Sequence, residues 1–175
     1  MALLDRFVSL RRAVPPGDAL YRAVVAAARQ PDWYLAGEVP DTVDGRFDIV
    51  ALVLSLVLLR LEQEGAAQAQ FSADLTERFI ADMDGALRES GVGDQAVGKH
   101  VGRMVSALGG RLGAYRDALA PDAAPAELAA AVRRNVYRDA ASADDALVWL
   151  TAQVRALAGD ISSVPPAALV GGRLR

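Results

Sequence analysis

The sequence predicts an all-α protein, a single compact helical domain of about six to seven helices around a buried central helix. Two observations predict this fold class. Every long segment repeats apolar residues at the three- and four-residue steps of a helix, and no segment alternates as a strand does. In addition, 53% of the 175 residues are hydrophobic, which is enough for a packed core in a chain of one-domain size.

The first predicted helix covers residues 18–30, and a short helical turn follows at 31–34. The central helix covers residues 43–64. Its segment 49–59 is apolar on nearly every face, but it is shorter than the about 20 residues that a membrane span needs. We therefore expect the other helices to bury it.

The second half of the chain has the same pattern, with further helices predicted over 71–87, 94–120, 125–138 and 142–158. The fourth of the six long predicted helices, 94–120, is rich in glycine, which predicts close backbone packing or a kink near residues 109–110. The helical domain is predicted to cover residues 1–160. After Gly159 the pattern stops, so residues 161–175 are predicted to form a flexible tail.

Several helix ends have residues suited to capping. The predicted caps are Asp18 for the first helix, Asp41 or Thr42 for the central helix, Gly91 as a left-handed terminator followed by Asp94 as an N-cap, and Ser142 with Asp145 for the last helix.

The composition excludes several classes of site. A formal net charge of −3 gives no overall positive field, so we expect no sequence readout of nucleic acid. The absence of cysteine and the presence of one histidine, His100, exclude thiolate and multi-histidine metal sites. No convincing set of acid, base and nucleophile is present. We predict a protein that is not an enzyme and has no catalytic residue, no metal and no cofactor.

The segment PDTVDGRF at residues 40–47 places a glycine, two carboxylates and an arginine before the most apolar helix. Carboxylates favour the positive end of a helix, and Arg46 is expected to pair with Asp44 or, from the neighbouring helix, with Asp82 or Asp84. Two interpretations stay open here. The segment is either a structural knot of caps and salt bridges or part of a binding site.

Charge is unevenly distributed along the chain. Residues 38–90 carry about −7 and residues 91–120 about +2, a dipolar pattern that suits docking to other proteins. The candidate basic face consists of Lys99, Arg103, Arg111 and Arg116, extended by Arg133, Arg134 and Arg138.

Between residues 18 and 120, the order of the motifs resembles the ubiquinol-cytochrome c chaperone family. The resemblance rests on D-x-x-D-G-R-F at residues 41–47 followed by M-D-x-x-L-R-x-x-G-V-G-D at 83–94, supported by VGK at 97–99 and GRL at 110–112. It implies a non-enzymatic chaperone that assists assembly of the cytochrome bc1 complex by handling newly made cytochrome b.

The resemblance also implies which residues bind the client or partner. The positions that match the family motif are Asp41, Asp44, Gly45, Arg46, Asp82, Asp84, Arg88, Gly91, Gly93, Asp94, Lys99, Arg111 and Tyr115, and the basic face adds Arg103. The implied partners are cytochrome b or another bc1 subunit and a small partner protein. The implied place of action is the cytoplasm, with peripheral contact at the inner membrane, and the opening residues 1–10 are untypical of a secretory signal.

A second function stays open from the residues alone. A helical protein of this composition can bind haem or quinone in a pocket between helices. The predicted lining of such a pocket is Trp33, Tyr34, Met104 and Tyr115.

Overall fold

The structure is a computed structural model that describes residues 17–89, 91, 93–140 and 142–175, with the backbone alone at 94–96. Residues 1–16 of the predicted domain, including its opening segment, lie outside the described residues. No helix in the described ranges combines the length and hydropathy that a membrane span requires.

Over these ranges the chain forms eight α-helices and no strand, which confirms the all-α prediction. The helices are α1 (Asp18–Ala28), α2 (Asp32–Leu35), α3 (Val43–Glu62), α4 (Ala69–Glu89), α5 (Asp94–Ala118), α6 (Pro125–Asn135), α7 (Asp144–Ser163) and α8 (Pro166–Val170). A 3-10 turn at Gly65–Gln68 joins α3 to α4. The helix beyond the predicted six to seven is α8, which lies in the predicted tail.

The predicted central helix, α3, is the buried centre of the protein. It packs against α1, α4, α5 and α7, and every residue from Ala51 to Leu58 is at most 6% exposed. The one hydroxyl in this stretch, on Ser55, donates to the carbonyl of Ala51 at 2.7 Å, so its burial leaves no polar group unsatisfied.

The four-residue spacing of α4 also gives the expected packing. Its buried residues are Leu75, Phe79, Met83 and Leu87, which form one stripe against the core.

In α5 the expectation of close backbone packing at the glycines is wrong. A Cβ atom added at Gly98, Gly102, Gly109, Gly110 or Gly113 would meet no described atom within 4 Å, and the helix runs unbroken through residues 109–110.

The prediction of a flexible tail at residues 161–175 is wrong, and the domain does not end at residue 160. Ile161 and Val164 are buried, α7 continues to Ser163, and α8 carries the fully buried Leu169. The tail then passes close to α1, where a Cβ atom on Gly172 would lie 2.9 Å from a backbone oxygen. Prolines 165 and 166 interrupt the helical spacing, so the sequence pattern does not show that these apolar residues reach the core.

Three of the predicted caps are wrong. The N-caps of α1 and α5 are Gly17 and Gly93, one residue before the expected side chains, and the N-cap of α7 is Ala143, one residue after Ser142. None of the three makes a side-chain cap hydrogen bond. Thus Asp94 begins α5, and neither Ser142 nor Asp145 caps α7. Asp18 instead forms an ion pair with Arg22 of its own helix at 2.6 Å and one with Arg78 at 2.8 Å, and the second pair connects α1 to α4.

Gly45, in the first turn of α3, lies against the loop that leads into the helix. A Cβ atom at this position would lie 2.0 Å from the carbonyl oxygen of Pro40. We therefore expect Gly45→Ala to lower the free energy of unfolding by about 1–3 kcal/mol, because backbone atoms have to move. Urea unfolding followed by circular dichroism measures the change.

The matched control for this substitution is Gly110→Ala, at an exposed position of α5 where an added methyl group meets nothing described within 4 Å. Alanine is the better helix former, so this variant is expected to gain about 0.5–1 kcal/mol. Losses of the same size in both variants would show that the contact with Pro40 is not what requires glycine at position 45.

Candidate functional site

A groove of about 800 Å³ opens between the C-terminal end of α1, α2, the first turns of α3 and the second half of α4. We call it the α1–α4 groove. Its lining is mainly apolar and includes Val25, Phe47, Val50, Met83, Leu87 and Met104. Because four helices and one residue of α5 contribute to it, the groove exists only in the folded chain.

Large apolar side chains are exposed at the mouth of this groove. Leu35 is 76% exposed and Val43 is 69% exposed, and both line it. Among the described residues, the other large hydrophobic side chain with comparable exposure is Val148 on α7, which lies outside the groove. Apolar side chains gathered at a concave surface are typical of sites that bind another molecule.

The N-terminus of α3 shapes this mouth. The hydroxyl of Thr42 accepts a hydrogen bond from the backbone NH of Gly45 at 3.1 Å, so the predicted cap at Asp41 or Thr42 is made by Thr42. Asp41 is thereby free to pair with Arg46 across the cap at 2.6 Å. The hydrogen bond from Arg46 lowers the pKa of Asp41.

The partners predicted for Arg46 are wrong. Asp44 pairs with Arg138, at 2.9 Å. The two acids of α4 are also occupied differently. Asp82 accepts a hydrogen bond from the hydroxyl of Tyr21 at 2.8 Å, and Asp84 pairs with Arg88 on its own helix at 2.7 Å. Sequence spacing does not show how the helices are rotated, and the rotation decides which acid meets which arginine.

Behind the groove, a buried carboxylate joins three parts of the fold. Asp48 of α3 is 1% exposed and accepts hydrogen bonds from Arg111 of α5 and, at 2.8 Å, from Arg138 after α6. Arg138 reaches Asp44 as well. We call these four residues the Asp48 network. Burial raises the pKa of Asp48, and the two guanidinium groups oppose that effect.

Arg111 also connects the network to the groove. Its guanidinium lies over the ring of Phe47, 5.2 Å from the centroid, and donates to the carbonyl of Asn135 at 3.2 Å. The ring of Phe47 lines the groove. The position of this part of the groove wall is therefore coupled to a buried ion pair.

Asp48 is not among the residues predicted from the sequence, and Arg138, predicted to belong to a basic docking face, instead binds Asp48. One signal for Asp48 was available. An acid one turn after Asp44 and directly before the apolar run 49–59 has to enter the core with that run, and a buried acid needs a basic partner.

Besides Gly45, which is buried in the first turn of α3, two residues of the predicted binding set are inside the protein. Arg111 is 7% exposed and Tyr115 is fully buried, so neither contacts a client in this conformation. The hydroxyl of Tyr115 has no hydrogen-bond partner among the described residues, and burial raises its pKa. The family motif therefore includes residues that build the core.

The remaining predicted residues divide into two groups. Asp41, Arg46 and Asp82 line the groove together. The residues that do not line it are Asp44, Gly45, Asp84, Arg88, Gly91, Gly93, Lys99 and Arg103. Gly91 has a φ of +84°, as expected for a left-handed terminator, and Arg103 contacts His100 at 3.1 Å on the outer side of α5. The side chain of Asp94 lies outside the described residues.

The predicted haem or quinone pocket is not formed by its four residues together. Tyr34 and Met104 line the groove. Trp33 is buried and donates its indole NH to the carbonyl of Ala27 at 2.8 Å, and Tyr115 is in the core.

Comparison with known proteins gives two matches that agree with each other. The family model described as ubiquinol-cytochrome C chaperone matches residues 36–175. A solved structure described as a Cbp3 homolog from Brucella abortus is 35% identical, with a TM-score of 0.75, and the match covers 88% of this chain and 84% of that one. No match was found among curated proteins. The family match extends beyond the motif region 18–120 and includes α6 to α8.

The Asp48 network leads to a stability prediction. Asp48→Ala leaves the buried guanidinium of Arg111 without its counter-ion, so we expect it to lower the free energy of unfolding by about 3–5 kcal/mol. Asp44→Ala removes an exposed partner of Arg138, which also binds Asp48. It should change the free energy of unfolding by less than about 1 kcal/mol. Urea unfolding of both variants tests this, and similar losses would contradict a special role for the buried carboxylate.

Proposed function

Because the chain belongs to the ubiquinol-cytochrome c chaperone family, we propose that it is a non-enzymatic assembly factor of the cytochrome bc1 complex that transiently binds newly made cytochrome b. Another bc1 subunit or a small partner protein is the next candidate for the bound protein. The proposed place of action is the cytoplasm, in peripheral contact with the inner membrane into which such a client inserts.

The observation that carries this proposal is the α1–α4 groove with its exposed apolar mouth. A newly made membrane protein exposes apolar segments of about 20 residues, which water does not solvate well. An apolar groove offers such a segment a temporary surface. Met83 and Met104 in its lining suit this role, because methionine is unbranched and adapts to different apolar partners.

The charged loop at the mouth fits the same proposal. Asp41 and Arg46 form their ion pair at the surface, where the two side chains are 59% and 66% exposed. An exposed pair of this kind contributes little to stability, about 0–1 kcal/mol. A strong effect of Arg46→Ala on client binding would therefore report on recognition rather than on folding.

Substitution at the groove mouth tests the proposal. The variant Leu35→Asp/Val43→Asp places two charges at the apolar mouth, and both side chains are exposed, so the fold is expected to persist. In a strain that lacks the chromosomal gene, we expect this variant to restore less bc1 complex than wild type, measured by haem b absorbance of membranes. Tagged wild-type protein should co-purify cytochrome b in mild detergent, and the variant should lose it.

The matched control is Val148→Asp, which places the same charge at an equally exposed valine outside the groove. It should support bc1 assembly like wild type. Circular dichroism spectra of all three proteins confirm that they remain folded. Full assembly in the presence of the folded double variant would contradict the groove as the client site.

One observation favours the alternative, a haem or quinone binder. Tyr34, Met83 and Met104 line one groove, and its volume lies in the range of small-molecule sites. Titration of the purified protein with haem separates the two functions. We expect no saturable shift of the haem absorbance band, and a saturable shift that Met104→Leu abolishes would favour the alternative.

A further inference from the structure

One wall of the α1–α4 groove has a regular pattern along α4. Asp82, Gly85, Ala86 and Glu89 all line the groove, and their spacing of three, one and three residues puts them on one face of the helix. The two acids are two turns apart, about 10 Å along the helix axis. This face of α4 therefore carries two acids separated by two small residues, beside the apolar Met83 and Leu87 of the same wall.

The small residues leave the middle of this wall open. A Cβ atom added at Gly85 would meet no described atom within 4 Å. Another segment can therefore approach the backbone of α4 closely between the two acids. The apolar lining of the groove, including Phe47 and Val50, lies beside this gap.

The two acids give this wall a negative charge that the rest of the lining offsets only in part. Glu89 has no ion-pair partner among the described residues, and Asp82 accepts its hydrogen bond from the neutral hydroxyl of Tyr21. On the opposite wall, the charge of Arg46 is matched by Asp41. Arg29, at the end of α1, is the second cation of the lining, so three acids face two cations and the formal charge of the lining is −1.

From this arrangement we propose that the groove recognises the positively charged end of a client's transmembrane helix. Apolar residues of that end pack on the groove, and the Lys or Arg residues that flank it lie against Asp82 and Glu89. Cytoplasmic flanks of transmembrane helices are enriched in Lys and Arg, so they have the complementary chemistry. This inference rests on the proposed chaperone function and adds which part of the client is bound.

The charge pattern also determines which segments are rejected. A helix end flanked by acids meets two like charges on α4, and a purely apolar segment gains nothing from them. The groove therefore selects one end of a transmembrane segment rather than any apolar sequence.

The test uses two labelled synthetic peptides with the same short helical core of Leu and Ala, one flanked by lysines and one by glutamates. Binding to the full chain is followed by fluorescence anisotropy at low salt. We expect the lysine peptide to bind on the order of tenfold more tightly, and the preference to shrink as salt is added.

Three variants assign the effect to the groove. Asp82→Asn/Glu89→Gln should remove the preference while apolar binding remains. The control Asp74→Asn/Glu77→Gln neutralises two acids of the same helix that do not line the groove, and it should keep the preference. Gly85→Leu fills the open gap and should weaken binding of the lysine peptide at least tenfold, with the fold preserved, since leucine is the better helix former.

Three outcomes would overturn the inference. Equal binding of both peptides in the groove would show that the groove does not discriminate by charge. Failure of the lysine peptide to bind would show that the groove does not recognise the positively charged end of a transmembrane helix. Unchanged binding to Gly85→Leu would place the interaction elsewhere. None of these decides the chaperone function, which stands or fails separately with bc1 assembly in the Leu35→Asp/Val43→Asp strain.

Discussion

The fold depends on the pairing of one buried carboxylate with two arginines. Asp48 enters the core at the start of the apolar part of α3, and an ionised carboxylate without a partner there would be strongly destabilising. Arg111 and Arg138 supply the partners from α5 and from the segment after α6. This requirement fixes the rotation of α3 and brings α5 and the α6–α7 connection to it. Arg138 adopts a left-handed φ of +53°, a strained backbone that its bonds to Asp48 and Asp44 hold in place.

The same constraint explains why a structural knot and part of the groove lining share the segment 40–47. Three residues form the knot. Gly45 lies close to the carbonyl oxygen of Pro40, Thr42 caps α3, and Asp44 binds Arg138 of the Asp48 network. Asp41 and Arg46 stay exposed and line the groove. The structural interpretation therefore holds for the first three residues, and the binding interpretation remains a proposal for Asp41 and Arg46.

The predictable part of the structure is the part set by spacing along one helix. The period of α4 and the apolar run of α3 each specify a buried face without reference to any other element. Pairing between helices is different, since Arg111 is an ordinary surface residue by its chemistry and becomes a core residue only because Asp48 faces it. The groove is hidden from sequence for the same reason, because its lining comes from five helices. The sequence does not predict α8, because two prolines interrupt the apolar periodicity by which a helix is recognised.

The proposed chaperone has to release its client, and the size of the groove is consistent with release. Asp82 and Glu89, the two acids of its α4 wall, are about 10 Å apart along the helix axis, whereas a transmembrane helix is about 30 Å long. The groove therefore covers about a third of such a helix and only one side of it. A bilayer removes the whole apolar surface from water, and the gain grows with the area removed. Transfer from groove to membrane is therefore favourable in free energy, so we expect the proposed site, which holds only the end of the segment, to bind it before insertion and to lose it during insertion.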